Sequence, residues 1–477
     1  MHPILSSLAM SSFEAGDTSS SFSVLSLLAA VTVIWYLFIW ALSIIGCLTG
    51  RRHLRLRPRS PLSSASETSV PGVSILRPLK GLDTNLFENL ESTFTQEYPN
   101  SRFEVLLSVA DADDQALSVV RSLLEKHPEV DARVIIGEEV VGVNPKVNNL
   151  MRSYKEAKHD ILWVLDSNIQ VASGTLARSV DELTQPPKPG KRRIGLVHHV
   201  PLAFASEQML GSRIEEACLN TNHAKMYLAI NCLAVDSCVI GKSCMYRRSD
   251  LERVTGDLKP VQSSESISTD DGKPRGLAAF GRFIAEDNMI GAALWHELGL
   301  RHALGCDVAH NCVGRMMLRA YIARRLRWIR VRKHMVTVAT LLEPFTECVL
   351  VSLLAAWAAH RLWGVPWAVV LIIHYCAWIA LDLDVYDSLA GYYLPVEKRW
   401  SFLVAWAIRE LLAFPIWIIG MVGNEIEWRG RHYRILRNGE SERVTPGQGW
   451  LFSFFGRGQR KGYESVDQDA RSFGDQA

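Results

Sequence analysis

Residues 18–50 carry no formal charge, and residues 24–48 are dominated by Leu, Ile, Val, Trp and Phe. About 20 such residues in a helix cross a bilayer, so attachment to a membrane constrains this chain before any other feature does. A cleaved signal peptide has a shorter apolar run with basic residues in front of it. Here the basic cluster Arg51-Arg52-His53-Leu54-Arg55-Leu56-Arg57-Pro58-Arg59 comes behind the run, which reads as a retained anchor. Lys and Arg stay on the cytoplasmic side, so residues 1–21 are expected to be lumenal or extracellular, 22–50 to span, and the chain after Arg51 to begin in the cytosol.

Three further apolar stretches, 336–360, 363–381 and 402–422, lie near the other end. The third holds Arg409-Glu410 near its middle, a pair that at such depth must face protein or a water-filled cavity, unless the helix lies in the interface with a local ion pair. Four full crossings would return the C-terminus to the side of the N-terminus. The tail, however, opens with Trp428-Arg429-Gly430-Arg431-His432-Tyr433-Arg434, which the positive-inside rule keeps cytosolic. One C-terminal stretch is therefore expected to lie in the interface or to re-enter. The resulting organisation is membrane segments over 336–424 and a tail over 425–477 whose end, poor in apolar residues from about 456, reads as disordered.

Between residues 71 and 315 the pattern changes to that of a water-soluble domain. Short apolar runs at 73–76, 105–109, 133–136, 161–165 and 194–197 read as strands, with helix-like stretches such as 116–126 and 147–158 between them, an alternation that argues for an α/β domain with a largely parallel sheet. Segments 185–193 and 263–276 read as exposed loops. Lys plus Arg is 52 against 50 Asp plus Glu, a net charge of +2, so no global field attracts nucleic acid. The nine cysteines form no CxxC pair, which argues against a zinc site or a disulfide framework and fits a reduced setting.

In open parallel sheets ligands bind beyond the carboxyl ends of the strands, and those positions here are acidic: Asp111, Asp113 and Asp114 follow the second run, and Asp166-Ser167-Asn168 the fourth. Carboxylates at two strand ends can converge on a divalent cation and a nucleotide diphosphate; singly, each is also an ordinary turn or helix-capping residue. Glu286-Asp287 opens a helix running to about residue 298. Capping accounts for such acids, as does service as a general base. Arg324-Arg325-Leu326-Arg327-Trp328 lies on an interface helix over 316–335, where Arg324 and Arg327 share a face and two guanidinium forks can hold two phosphates. A basic, Trp-bearing helix before a membrane segment also serves as an anchor toward anionic lipid.

With these elements in order the chain resembles the ceramide glucosyltransferases, and more distantly other membrane-bound glycosyltransferases. The stretches that carry the likeness are Pro71-Gly72-Val73-Ser74-Ile75-Leu76-Arg77-Pro78-Leu79-Lys80-Gly81, Gly142-Val143-Asn144-Pro145-Lys146-Val147-Asn148-Asn149-Leu150-Met151 and Phe283-Ile284-Ala285-Glu286-Asp287. The three aspartates of the family fall on Asp114, Asp166 and Asp287, and its (Q/R)xxRW signature on Arg324, Arg327 and Trp328. The resemblance implies a nucleotide-binding domain of the GT-A kind that transfers glucose from UDP-glucose to ceramide with inversion. Asp114, with Asp111 and Asp113 beside it, would contact the nucleotide, Asp166 the diphosphate and its Mg or Mn ion, and Asp287 would be the base. Arg324 and Arg327 would face the diphosphate, and Trp328 and His223 the acceptor. Asn168 stands where many such enzymes carry the second acid of a DxD metal motif, which leaves strict dependence on the Mg or Mn ion open. The loops at 185–193 and 263–276 are longer than in animal members, pointing to a fungal-type enzyme of the Golgi or endoplasmic reticulum membrane. The rivals are a polysaccharide synthase of related fold and a membrane scaffold with a degenerate transferase fold.

Overall fold

The computed structural model describes residues 18–187, 189–207, 209–260 and 272–444. Most of the predicted loop at 263–276, nearly all of the predicted lumenal segment and the predicted disordered end lie outside these residues. Helix α1 (Thr18–His53) is the anchor. After it the chain lays down β1 (Val73–Leu79), α2 (Leu86–Phe94), β2 (Phe103–Val109), α3 (Ala116–Lys126), β3 (Ala132–Ile136), α4 (Pro145–Glu156), β4 (Ile161–Leu165), β5 (Ile169–Gln170), α5 (Thr175–Thr184) and β6 (Ile194–Ala205). The unit is completed by α6 (Leu210–Cys218), α7 (Ala224–Leu233), β7 (Ser243–Arg247), α8 (Arg248–Leu251), α9 (Glu286–His296) and β8 (Arg301–Val313).

The eight strands form one sheet in the order β3-β2-β1-β4-β7-β6-β8-β5. β1 pairs in parallel with β2 and β4, β2 with β3, and β6 with β8. β7 runs antiparallel between β4 and β6, and β5 antiparallel to β8, so all strands but β7 and β5 point one way. β1 and β2 are buried along their whole length, because helices cover both faces of a parallel sheet. On one face Ile75, Leu90, Val105, Val120, Trp163 and Leu176 form the core; on the other, Leu76, Leu106, Leu150, Phe280 and Ile290 do so. The chain reverses its direction of travel across the sheet on either side of β1, which creates the crevice at the carboxyl ends of β1 and β4.

The C-terminal helices are α10 (Leu318–Met335), α11 (Thr337–Leu342), α12 (Cys348–Trp363), α13 (Trp367–Ala390) and α14 (Val396–Val422). α1, α13 and α14 are each long and apolar enough to cross a bilayer, and residues 337–346 and 348–363 make a further, broken span bent by 66°. Gly364 (φ +69°) ends α12 and Pro366 starts α13, which explains why these stretches divide there. α13 then runs well past the apolar stretch that ends at 381, carrying Asp382, Asp384 and Asp387. Asp384 meets Arg51 at 2.8 Å and Arg55 at 2.9 Å, so the basic cluster behind the anchor is tied to the end of α13.

Both ends of α14 are tied to neighbouring helices, the start to α13 and the end to α10. Before it, Leu394 donates its N–H to Asp387. After it, Lys333 of α10 donates to the carbonyls of Met421 and Gly423, and Arg330 to that of Glu425. The first part of the tail is folded: β9 (Glu425–Trp428), β10 (Arg431–Ile435) and β11 (Ser441–Arg443) form an antiparallel sheet. Its first turn puts Arg429 and Gly430 at φ +51° and +73°, the pair of left-handed residues that a tight hairpin needs. This sheet closes onto the soluble unit through Ser441 N–H to the Arg282 carbonyl and the Arg282–Glu440 ion pair at 3.1 Å.

Candidate active site

Asn144-Pro145-Lys146 shows how a short stretch of sequence builds this site. Asn144 caps α4, its side chain accepting from the N–H groups of Lys146 and Val147, and Pro145 occupies the first helical position, where it lacks only a donor the helix cannot use. Lys146, now fixed on the first turn, reaches Asp166 Oδ1 at 2.7 Å and Glu286 Oε1 at 2.9 Å. The Asn144 amide also donates to Glu286 Oε2 at 2.8 Å. The exit of β4 and the start of α9 are thus joined through one ammonium group, so Asp166 and the Glu286-Asp287 pair, 120 residues apart in chain number as 286 minus 166, share a site.

Asp166 is held well below the usual carboxylate range: burial opposes its charge, but Lys146 and Lys242 outweigh it. Lys146 is in turn held above its ordinary value, burial being overcome by Asp166, Glu286 and Asp287. Asp287 behaves oppositely. Burial and then the charge of Glu286 push it up to about 6, with Lys146 only partly offsetting them. Its carboxylate lies so close to Gly241 that a Cβ there would come within 1.9 Å of Oδ2, so only glycine fits opposite it. Lys146, Gly241, Cys244, Tyr246, Glu286 and Asp287 line a cavity of about 20 Å³, room for one water-sized group. A half-buried acid with its pKa near neutrality, beside a cavity, has the properties of a general base.

Asp114 lies at the same edge. Its carboxylate accepts the Gly81 N–H at 2.8 and 3.0 Å and the Ala116 N–H at 2.9 Å, stitching the exit of β1 to that of β2. Asp111 and Asp113 are exposed, Asp111 accepting the Asp113 N–H at 3.0 Å. Beneath them Arg77, wholly buried, donates to the carbonyls of Asn89, Ser167 and Ile169 and braces the backbone on both sides of Asn168.

The residues nearer the membrane form a second group. Arg324 pairs with buried Glu215 of α6 at 2.9 Å and lies 5.8 Å from the Trp328 ring. Arg327, three residues on, is half-buried. Trp328 packs on a cluster that includes Cys47 of α1 and Leu54 just behind it, Val385 and Leu389 of α13, Tyr227 and Ile240. Ile240 directly precedes the Gly241 that abuts Asp287, so the cluster against which the tryptophan packs extends from the membrane helices to the floor of the site. His223 ends a π-helical turn, Leu219–His223, and stacks on Tyr227 with ring centroids 6.3 Å apart. Burial, followed by Arg325, Arg332 and Arg409, lowers its pKa to about 3, and its Nδ1 is buried without a hydrogen-bond partner. It is a neutral ring with one polar atom unspent.

The donors around Asp166 do not make a resident site for a divalent ion. A Mg-like ion needs only one or two carboxylates, the rest of its ligands being substrate phosphates and waters, but here each Asp166 oxygen already faces an ammonium group, Lys146 on one and Lys242 at 2.9 Å on the other. Among the described residues no three His, Cys, Asp or Glu side chains gather around a common point. Lys146, Lys242 and Gly241 are additions to the predicted set. Lys146 carries a local signal, its place just behind a capping Asn-Pro; the other two depend on β7 inserting beside β4.

The pattern of glycosyl transferase family 21 matches residues 28–264 and 273–441. Among curated proteins, the chain is 37% identical to a ceramide glucosyltransferase of Komagataella phaffii, covering 86% of this chain and 91% of that one. A ceramide glucosyltransferase of Candida albicans is 32% identical over 86% of this chain and 97% of its own length. Among solved structures, mannosyltransferase PcManGT from Pyrobaculum calidifontis in complex with GDP-Man and Mn2+ aligns with a TM-score of 0.43 at 18% identity, over 81% of this chain and 99% of that one.

Proposed function

The chain belongs to glycosyl transferase family 21, and on that premise we propose that it makes glucosylceramide by a single inverting displacement with UDP-glucose as donor. Transfer of glucose to ceramide is the activity for which its fungal relatives are named over most of their length. The observation that carries the mechanism is two unlike acids in one cluster: Lys146 joins Asp166 to Glu286, and Asp287 follows Glu286 in the chain. Asp166 is kept ionised at the strand exit, where a diphosphate would lie, and Asp287 is raised toward neutrality beside the cavity.

In this reading the primary hydroxyl of ceramide attacks the anomeric carbon of glucose from the face opposite UDP. The new carbon–oxygen bond forms as the bond to the β-phosphate oxygen breaks. Asp287 takes the hydroxyl proton, and the electron pair leaves on UDP. One displacement turns an α-linked donor into a β-glucoside. Lys146 and Arg327 are proposed to meet the charge of the departing diphosphate, a stabilisation worth on the order of 3 kcal/mol for one well-placed donor. Arg324, engaged by Glu215, holds α10 so that Arg327 and Trp328 are presented. Asp114 shapes the loop after β1 for the nucleotide, with Asp111 and Asp113 at its rim. Trp328 and His223 border the acceptor, whose two chains stay in lipid.

The same reading places the soluble unit on the cytosolic face of a Golgi or endoplasmic reticulum membrane, behind the basic cluster at Arg51. α1, the bent pair and α13 would cross. α14, whose start is tied to the end of α13 and whose end is tied to α10, would lie along the interface without crossing, which leaves the basic hairpin of β9 and β10 on the cytosolic side. The test is incubation of the purified protein with labelled UDP-glucose and ceramide: label in a β-linked glycolipid is expected. A labelled polymer, or no labelled lipid, would overturn the reading.

A further inference from the structure

Lys242 enters none of the roles above. It lies just ahead of β7, the strand that runs antiparallel beside β4, and its side chain is 13% exposed. Its ammonium donates to Asp166 Oδ2 at 2.9 Å and to Asn168 Oδ1 at 3.2 Å. The Asn168 amide is set in that orientation by its own donation to Asn311 Oδ1 at 2.8 Å. Asp166-x-Asn168 thus presents a carboxylate and an amide oxygen to a common point, and a cation belonging to the chain occupies it. An ammonium has three N–H donors. Two are accounted for, leaving one for an oxygen of a ligand lying beyond the exit of β4.

We propose that Lys242 is the built-in cation for the diphosphate of the donor, standing between Asp166 and Asn168 where a divalent ion would otherwise have to bind. The inference rests on the UDP-glucose reading above. When the bond from the anomeric carbon to the β-phosphate oxygen breaks, the electron pair moves onto that oxygen. A charge-assisted N–H donor facing it stabilises the product without any proton being transferred. Lys146 cannot fill this place alone, since its ammonium is shared between Asp166 and Glu286. The two lysines flank Asp166 from opposite sides, and Asn168, as an amide, adds no negative charge that would call for a second positive ion.

The experiment is calorimetric titration of UDP into the detergent-purified full-length protein, in excess EDTA and with added Mn2+, for the wild type, Lys242→Ala and Lys242→Arg. The wild type is expected to bind equally, within about twofold, in both buffers. Lys242→Ala is expected to lose about tenfold or more in EDTA, a loss of about 1.4 kcal/mol, and to recover in Mn2+, because removing the ammonium frees Asp166 and Asn168 for the ion. Lys242→Arg keeps the charge and should stay near the wild type in EDTA. Wild-type binding that collapses in EDTA and returns with Mn2+ would overturn the proposal, as would an unaltered Lys242→Ala, or one that Mn2+ fails to rescue. Should Lys242→Ala not fold, as judged by thermal unfolding, the wild-type pair of titrations decides alone. Absence of UDP binding in either buffer would sink the donor reading and this inference together, whereas cation-dependent binding sinks only Lys242.

Discussion

At the carboxyl edge of the sheet, Lys146 lies between Asp166 and Glu286, and Asp287 stands beside them with no ion-pair partner among the described residues. Among the membrane helices, Lys225 meets Asp382 at 2.7 Å with both side chains almost fully enclosed. Trp378 lies under that ammonium, and Trp406 donates to the second carboxylate oxygen. Nearby, Arg409 is held by Glu347 and Glu410, and Glu347 also accepts from Asn222. The membrane groups tie together α7, α12, α13 and α14, and each of their acids is paired with a cation, with only Glu410 Oε2 among their carboxylate oxygens buried without a hydrogen-bond partner. The sheet-edge group keeps one acid aside. Burial of charge by itself therefore does not mark a site: closed networks set the relative positions of helices, and an acid left uncompensated beside a cavity is available for chemistry.

The sharpest way to break this contrast is Asp287→Asn. If Asp287 is the base, turnover should fall by about a thousandfold or more, within the range that proton transfer supplies, while UDP binding by calorimetry stays near the wild type. Near-normal turnover would reduce the sheet-edge cluster to another structural network. The converse variant is Lys225→Met, which leaves Asp382 buried without its cation and is expected to cost about 3 to 5 kcal/mol of stability, read as a lowered unfolding midpoint in detergent. Lys225→Met with Asp382→Leu should recover most of that loss, with glucosyl transfer per folded molecule unchanged. A folded but inactive double variant would show that the membrane network also serves the reaction. Gly46 sharpens the point: a Cβ there would lie 2.1 Å from the Lys225 carbonyl, so α1 and α7 are in close backbone contact at the level of this pair.

How much of this could be read from residues alone follows from how each part is encoded. β1, β2 and β4 are covered on both faces; β4 is written as an unbroken apolar run, and β1 and β2 as apolar runs interrupted by a few buried polar residues, Ser74, Arg77, Glu104 and Ser108. In β8, Asp307, His310 and Asn311 interrupt the run while pairing with Arg178, β5 and Asn168. Asp166 and Asp287 were legible from position, one at a strand exit and the other at a helix start. Lys242 had no such signal, since it reaches Asp166 only through the antiparallel insertion of β7. The commitment of Arg324 to Glu215 likewise depends on α6 packing against α10. The expected interfacial or re-entrant stretch was inferred from charge on the tail, but which helix it is depends on where both ends of α14 attach.

Acidity tests the same contrast with a smaller effect. The base must be ionised to work, so with Asp287 pushed up to about 6, kcat/KM should be level above that pH and fall about tenfold per unit below it. Glu286 is the second cause of that shift, after burial. Glu286→Gln should accordingly move the acidic limb to lower pH, although it also removes one partner of Lys146. A limb that stays in place would mean that another group titrates. The closed membrane network contributes nothing to this limb, and the Lys225 and Asp382 double variant should leave it where it is.

The smallest effect is expected where the two regions meet. Trp328 packs against a cluster that draws on α1, α13 and Ile240, the residue next to Gly241 and Asp287. An indole there can border the head of a lipid while its edge faces the interface. Trp328→Ala should therefore raise KM for ceramide about fivefold, near 1 kcal/mol, and leave KM for UDP-glucose unchanged. Trp328→Phe, which keeps an aromatic ring against the same cluster, should recover much of the difference. If both KM values rise together, or kcat falls without either changing, then Trp328 acts by holding α10 in place for Arg327, and the acceptor must be recognised elsewhere, with the unpaired Nδ1 of His223 the next polar group to examine. Measuring both KM values on one preparation separates these outcomes, because a loosened α10 also exposes the Arg324–Glu215 pair and lowers the unfolding midpoint, whereas a lost acceptor contact does not.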